Sequence, residues 1–330
     1  MDKLAFISGE TMIYWNSIVY TLAVAVAICF FLAFYLSKTG NAVAGFAAIP
    51  LSIFLSVVFS RFVHWYSRAD SYGDFTTAMT DYASGGYALI GVFAGCVLAA
   101  VVLRLLFLHR SIPKMLDCMS LAGCAGIAVG RLASLFNASD RGNIVEGIQT
   151  LPFVYPVTNA VSGATEYRLA TFMLQAMAAL VLFVILSVFY LKGKDKVKAG
   201  DTCLIFLLLY CASQVVLDST RYDSLFFRSN GFVSIVQVFS ALGLGLVIAL
   251  FSRRLVEARG FKIWYIFLWI LIGGCIGGAG FMEYYVQRHG DQPVFAYSVM
   301  STFLAGIVVL TLILRLLAVS AERKMENCVG

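Results

Sequence analysis

A chain of 330 residues that is 61% hydrophobic and only 13% charged carries more apolar surface than a water-soluble core of that size can hide, which excludes a soluble globular protein. What remains is an all-α, polytopic membrane protein. The net charge of +6 arises from basic residues clustered in short loops, where they report topology, and nothing in the chain indicates a nucleic-acid partner. The eight cysteines lie mostly within apolar runs and form no CxxC pair, so neither a disulfide framework, a metal site nor a cofactor is expected, and they read as small apolar core residues.

Crossing a bilayer takes roughly 20 apolar residues. Nine runs are long enough, at about 17 to 36, 43 to 65, 85 to 108, 115 to 135, 169 to 191, 202 to 219, 232 to 251, 262 to 282 and 294 to 317. Helices are expected for all of them, because lipid offers backbone groups no hydrogen-bond partner and no alternating strand pattern runs through these stretches. The first run is long and lacks a small-residue cleavage site, so it reads as a retained span.

Basic residues assign the sides. Lys38, Arg104 with Arg110 and Lys114, the KGKDKVK run, Arg253 with Arg254 and Arg259, and Arg323 with Lys324 all fall on one side, which should be cytoplasmic and includes the C-terminus. The N-terminus and the longer loops around 66 to 84, 137 to 167, 220 to 231 and 283 to 293 then face outward. KGKDKVK reads as a solvated anchor, with contact to anionic headgroups as a lesser alternative.

Polar constellations gather toward the outer half. GRLASLFNASDRG, Gly130 to Gly142, brings Arg131 to the end of a span with Asn137, Asp140 and Arg141 close behind, and ionisable groups at that depth commonly mark a working site. SRFVHWYSR sets Arg61, His64 and Arg68 on one helical face. DYASGGYALIGVFAG opens a span with Gly85, Gly86, Gly91 and Gly95, which permit close helix packing or close approach of a ligand, packing being the commoner use. YCASQVVLDSTRYDS places Asp218 and Arg221 three apart, a spacing at which they would pair on one helix face. Several arginines around an outer cavity suit an anionic phospholipid, since guanidinium forks match phosphate oxygens. The bland alternative is that they pair with Asp70, Asp74, Asp81, Asp140, Asp218 and Asp223 and only hold loops together.

These blocks resemble the bacterial prolipoprotein diacylglyceryl transferases. The family signature G-R-x-G-N-F-x-N-x-E-x-x-G is similar to GRLASLFNASDRG, its W-Y-G-L-x-Y opening to YWNSIVY, its G-G-M-S-F-H-G-G span start to GGYALIG, its R-H-P-S-Q-L-Y-E helix start to RLATFMLQ, and its Y-G-x-x-R-F-x-x-E-x-x-R-x-P-D block to YCASQVVLDSTRYDS. The resemblance implies a seven-span transferase-like body over residues 1 to 260, followed by two additional spans and a short polar tail over 261 to 330. It also implies a bacterial cytoplasmic membrane, phosphatidylglycerol as donor, and the lipobox cysteine of a prolipoprotein as acceptor. Carried over by position, Arg131, Asn137, Asp140 and Asp218 would be catalytic, and Arg61, Gly85, Gly86, Arg131 and Arg221 would hold the phospholipid.

The family pattern is broken at several places. Ser134 stands for its first asparagine, Ser139 for its glutamate with Asp140 one residue later, Ile90 for its histidine, Gln214 for an arginine and Asn16 for a tyrosine. Losing a general base typically costs about 10² to 10⁴ in rate. Two readings from different classes follow: a diverged transferase, and a catalytically silent relative that binds lipid or a partner protein. In the second half, GGCIGGAG sets Gly273 with Gly277 and Gly274 with Gly278 for close helix approach, and Glu283 and Arg288 read as solvated.

Overall fold

A computed structural model describes residues 4–8, 11–69, 72, 74–81, 86–106, 111–137, 140–145, 153–159, 162–193, 197–227, 230–288 and 292–329. In chain order these form β1 (Leu4–Ser8), β2 (Thr11–Tyr14), α1 (Trp15–Thr39), α2 (Ala42–Ser67), α3 (Phe75–Thr80), α4 (Leu89–Leu105), α5 (Ile112–Gly130) with a 3-10 turn Arg131–Leu135, β3 (Val154–Thr158), β4 (Thr165–Leu169), α6 (Thr171–Gly193), α7 (Asp201–Ser219), β5 (Phe226–Phe227), β6 (Asn230–Ser234), α8 (Ile235–Arg259), α9 (Trp264–Arg288) and α10 (Pro293–Val329). The named strands of the described residues pair as three antiparallel hairpins, and isolated bridges join Gly142 to Arg221 and Ile144 to Arg168.

Among the described residues eight helices are long and apolar enough to cross a membrane, and α4, at 17 residues, is a shorter apolar ninth. The chain is thus an all-α polytopic membrane protein. The exposed face of α6, with Leu180, Val181, Val184, Ile185 and Val188, is what a lipid-facing surface requires, because in hydrocarbon the apolar side chains point outward. The third span begins later than its hydropathy predicts: Gly86 has φ +84° and Ala88 is extended, so the chain turns helical only at Leu89. At the other extreme, α10 carries helix through the polar tail to Val329, beyond the predicted end of the last span.

The chain divides into two compact units: residues 1–206 with 220–236, and residues 207–219 with 237–330. In the first, α2 and α4 meet at glycine. A Cβ on Gly91 would fall 2.4 Å from the Phe59 backbone, and one on Gly95 2.5 Å from that of Ser56, so these two glycines serve packing. Hydroxyls fill the polar needs of that close approach, Ser60 donating to the Ala88 carbonyl at 2.9 Å and Ser56 to that of Val92 at 3.2 Å. Small residues also let α1 approach α5, where Gly126 faces Ala27.

Three expectations are corrected, the first two of them in the second unit. A Cβ on Gly278 would strike the Phe303 ring at 2.6 Å, but Gly273, Gly274 and Gly277 have nothing within 4 Å, so one glycine of GGCIGGAG carries the contact between α9 and α10. Glu283 is buried rather than solvated, accepting a hydrogen bond from Gln287 one turn on at 2.7 Å. The described cysteines are all free and are not uniformly core residues: Cys118, Cys124 and Cys211 are buried, while Cys29 is exposed.

Candidate functional site

The site is built where α5 ends. Helix gives way to the 3-10 turn at Arg131, and the chain then doubles back so that Asp140, in the left-handed region at φ +58°, faces the turn it has just left. An aspartate tolerates that backbone better than most residues. Ser134 donates to Asp140 Oδ2 at 3.0 Å, and Arg131 Nη1 lies 2.7 Å from Oδ1. The 3-10 turn thereby aims hydroxyl and guanidinium at one carboxylate.

A second cation arrives from distant sequence. Arg221 Nη2 also lies 2.7 Å from Asp140 Oδ1, and Arg221 grips Asp223 Oδ1 through Nε and Nη2 at 3.1 and 3.0 Å. The circuit closes when the Asp140 backbone N–H donates to Asp223 Oδ2 at 2.8 Å. Burial opposes ionisation of Asp140, but the two guanidinium charges, with hydrogen bonds from Arg131 and Ser134, outweigh it and hold the carboxyl well below the usual carboxylate range. Because α7 stops at Ser219, Arg221 lies two residues past the end of the helix rather than on its face. Asp218 itself is buried at the end of α7, in the other unit.

Backbone pairing fixes the cluster. Asn143 N–H donates to the Thr220 carbonyl and Tyr222 N–H to that of Arg141, each at 2.9 Å, while Gly142 N–H donates to the Leu169 carbonyl at 2.8 Å. Residues 141–145 therefore lie as a strand between β4 and the segment after α7. Gly142 is required at the crossing, since a Cβ there would sit 2.6 Å from the Leu169 oxygen and 2.7 Å from the Thr171 hydroxyl. Thr171 Oγ1 is 3.0 Å from Thr220 Oγ1, and Trp15 stacks on Phe136 with centroids 5.9 Å apart. Half-buried Asn137 follows Phe136 on the same turn.

Two further arginines lie on or beside this strand. Arg168 pairs with Glu166 through Nε and Nη2 at 3.1 and 2.8 Å and lies over the Tyr222 ring at 4.7 Å. Arg141 has its Nε buried without a hydrogen-bond partner, as does the hydroxyl of Tyr155. Burial pushes the Tyr155 phenol upward, against the pull of the Arg141 and Arg168 charges. Glu166 and Tyr155 are not legible in the sequence as part of the site because their neighbours are set by strand pairing and loop return, which no helical spacing encodes.

Arg61 organises a different group of atoms. It is 1% exposed and donates through Nη1 to the Gly86 carbonyl at 3.1 Å and through Nη2 to that of Asp81 at 2.6 Å. The rings of Tyr72 and Tyr87 lie 5.6 and 5.4 Å from its guanidinium carbon, and His64 Nδ1 is 2.8 Å from the Tyr72 hydroxyl. Gly86 can approach this closely only as glycine, because a Cβ would fall 2.6 Å from both the His64 ring and the Tyr72 hydroxyl. Gly85 and Asp70 lie outside the described residues. The structure thus brings Arg131, Asp140 and Arg221 together and holds Arg61 against Gly86, Asp81, Tyr72 and Tyr87. For Arg131 and Arg221 the pairing with aspartate anticipated in the bland reading is real.

Comparison with known proteins bears on what this arrangement is. The family model of prolipoprotein diacylglyceryl transferase matches residues 3–253. Among similar proteins, the phosphatidylglycerol–prolipoprotein diacylglyceryl transferase of Streptococcus sanguinis (strain SK36) is 24% identical over 201 residues, covering 59% of this chain and 74% of that one. The protein of the same name from Streptococcus pneumoniae (strain Hungary19A-6) is 25% identical over 206 residues, covering 61% and 74%. The match runs through the Arg131–Asp140–Arg221 cluster and both of its framing segments, and the chain belongs to the prolipoprotein diacylglyceryl transferase family.

Proposed function

We propose that this protein transfers the diacylglyceryl group of an anionic phospholipid, phosphatidylglycerol, to the thiol of a lipobox cysteine in a prolipoprotein, in the bacterial cytoplasmic membrane. One observation carries the reading: two guanidinium groups converge on a single carboxylate oxygen at 2.7 Å where a membrane span ends. That is the geometry in which forked donors hold a phosphate, with Asp140 as the resident anion that keeps the two cations side by side. The family match ends at residue 253, which supports a transferase body over residues 1 to 260 and two additional spans over 261 to 330.

In the step proposed, the cysteine sulfur forms a bond to the terminal glyceryl carbon as that carbon's bond to the phosphate oxygen breaks. Glycerol phosphate leaves with the electron pair, its charge held by Arg131 and Arg221. The thiol proton passes to water or a neighbouring base. Asp140 is a poor candidate for that base, because a carboxylate held by two arginines has little affinity for a proton; its part is to position the cations. A cysteine thiol is already a few per cent thiolate at neutral pH, which lowers the demand on any base. Asn137 sits beside the cluster on the turn that carries it, and Arg61, held against the Gly86 carbonyl, is proposed to add to binding of the phospholipid.

The observation that favours a silent, lipid-binding relative is the same carboxylate, since Asp140 already fills the arginine pair. Purified protein in phosphatidylglycerol bilayers, given a lipobox peptide, separates the two. Mass gain of one diacylglyceryl group, lost in Arg131→Ala, supports the transferase; phosphatidylglycerol binding without any mass gain supports the silent relative. Rescue of a strain depleted of its authentic transferase would exclude the silent reading.

A further inference from the structure

α1 is 25 residues long, so the end that carries Lys38 is about 37 Å from Trp15 and the site described above. At that far end a cavity of about 280 Å³ opens within the first unit, lined by Lys38, Lys114, Lys198, Asp117, Tyr190 and Thr202. The three ammonium groups belong to exposed residues at its rim, and Lys38 Nζ stands 5.1 Å from the centre of the Tyr190 ring. Below them Asp117 is buried, and both its oxygens are engaged by the start of α7: Oδ2 accepts from Gly200 N–H and Oδ1 from Cys203 N–H, each at 2.7 Å. That carboxylate therefore caps a helix. Even with neighbouring Asp201 counted, three lysines leave the cleft net positive.

Thr202 points to a ligand. It is 0% exposed, lines the cavity, and its hydroxyl oxygen has no hydrogen-bond partner. A buried, unsatisfied hydroxyl carries a desolvation cost that a bound acceptor would remove. Ammonium groups at the rim and a hydroxyl donor at the floor match the oxygens of a phosphate. Basic clefts between helix ends on a cytoplasmic face commonly take phosphate headgroups, and this face is the one the lysine-rich loops assign to the cytoplasm.

We infer that this cleft is a second, non-catalytic anion site that binds a phosphate group, carried by an anionic phospholipid headgroup or free in solution. The site stands apart from the proposed transfer chemistry and would survive if that proposal failed.

The test measures acylation rates of individual lysines by mass spectrometry on the full-length protein in nanodiscs of phosphatidylcholine alone, of phosphatidylcholine with phosphatidylglycerol, and of phosphatidylcholine with inorganic phosphate in the buffer. Lys38, Lys114 and Lys198 should slow about tenfold at saturation relative to Lys192, which lies at the same end of α6 outside the cleft. Slowing with phosphatidylglycerol alone identifies a headgroup, and slowing with inorganic phosphate identifies the free ion. Thr202→Val keeps every charge and removes an unsatisfied hydroxyl, so it should fold normally yet weaken protection about fivefold. Arg131→Gln should leave protection intact. No slowing, equal slowing of Lys192, or full protection in Thr202→Val would each overturn the inference.

Discussion

Arg221 reaches Asp140 at 2.7 Å, tying the segment that follows α7 to the loop that follows α5. Arg131 reaches the same oxygen at the same distance, so one carboxylate holds two cations that the sequence delivers from well-separated parts of the chain. The side chains of all three are no more than 15% exposed, and removing one partner has unequal consequences. Asp140→Asn leaves two buried guanidinium groups facing each other and should cost about 3 kcal/mol. Arg131→Gln leaves Asp140 paired with Arg221 and should cost clearly less. Thermal unfolding of the two variants in the same detergent gives the comparison, and a more stable Asp140→Asn would contradict it.

The same pair sets an acid limit. The Asp140 carboxyl has a lower pKa folded than unfolded, so its contribution is complete above the unfolded value of about 3.9 and is lost as pH falls through the folded value below it. The sign follows because, between the two values, the unfolded chain binds the proton more readily than the native one. Stability should therefore be insensitive to Asp140 between neutral pH and about 5 and decline in stronger acid. Unfolding midpoints measured from neutral pH down into that stronger acid should show a weaker acid decline in Asp140→Asn than in wild type.

Gly142→Ala tests the strand crossing. The new methyl would lie 2.6 Å from a backbone oxygen that cannot move without breaking the bond it accepts from Gly142 N–H. A loss of about 1 to 3 kcal/mol is expected, as in other overpacked sites. Transfer activity should fall as well, because the crossing carries Arg141 and Asp140 into place. Equal stability and activity to wild type would show that the segment has room to shift.

Gly86→Ala probes the Arg61 constellation. At φ +84° a side chain is strained by about 1 to 2 kcal/mol, and the Cβ also meets the His64 ring and the Tyr72 hydroxyl. Tyr72→Phe serves as its control: it removes only the contact with His64 Nδ1 and should cost about 1 kcal/mol. If the two variants unfold at the same temperature, Gly86 is not held as tightly as its contacts indicate.

The family signature was legible at Gly130, Arg131 and Gly142, and the role of the last proved steric. Where side-chain size and spacing suffice, packing is legible in the sequence: Gly91 and Gly95 let α4 close on α2. Helical spacing does not reach partners of a chain that has left its helix: Arg221 lies past the end of α7 and bonds to Asp140 and Asp223. Glu283 was assigned to solvent because hydropathy sees a charge near a span end and cannot see the fold that buries it.

By itself, the sequence determined the membrane class, the number of apolar runs and the family, because each depends on composition, run length or local motif. Which carboxylate balances which arginine, why only glycine fits at 86 and 142, and how a lysine-rimmed cleft forms around Thr202 were decided by tertiary structure. Those features depend on backbone segments far apart in the chain meeting within hydrogen-bond distance, and one sequence records no distances between segments that meet only on folding.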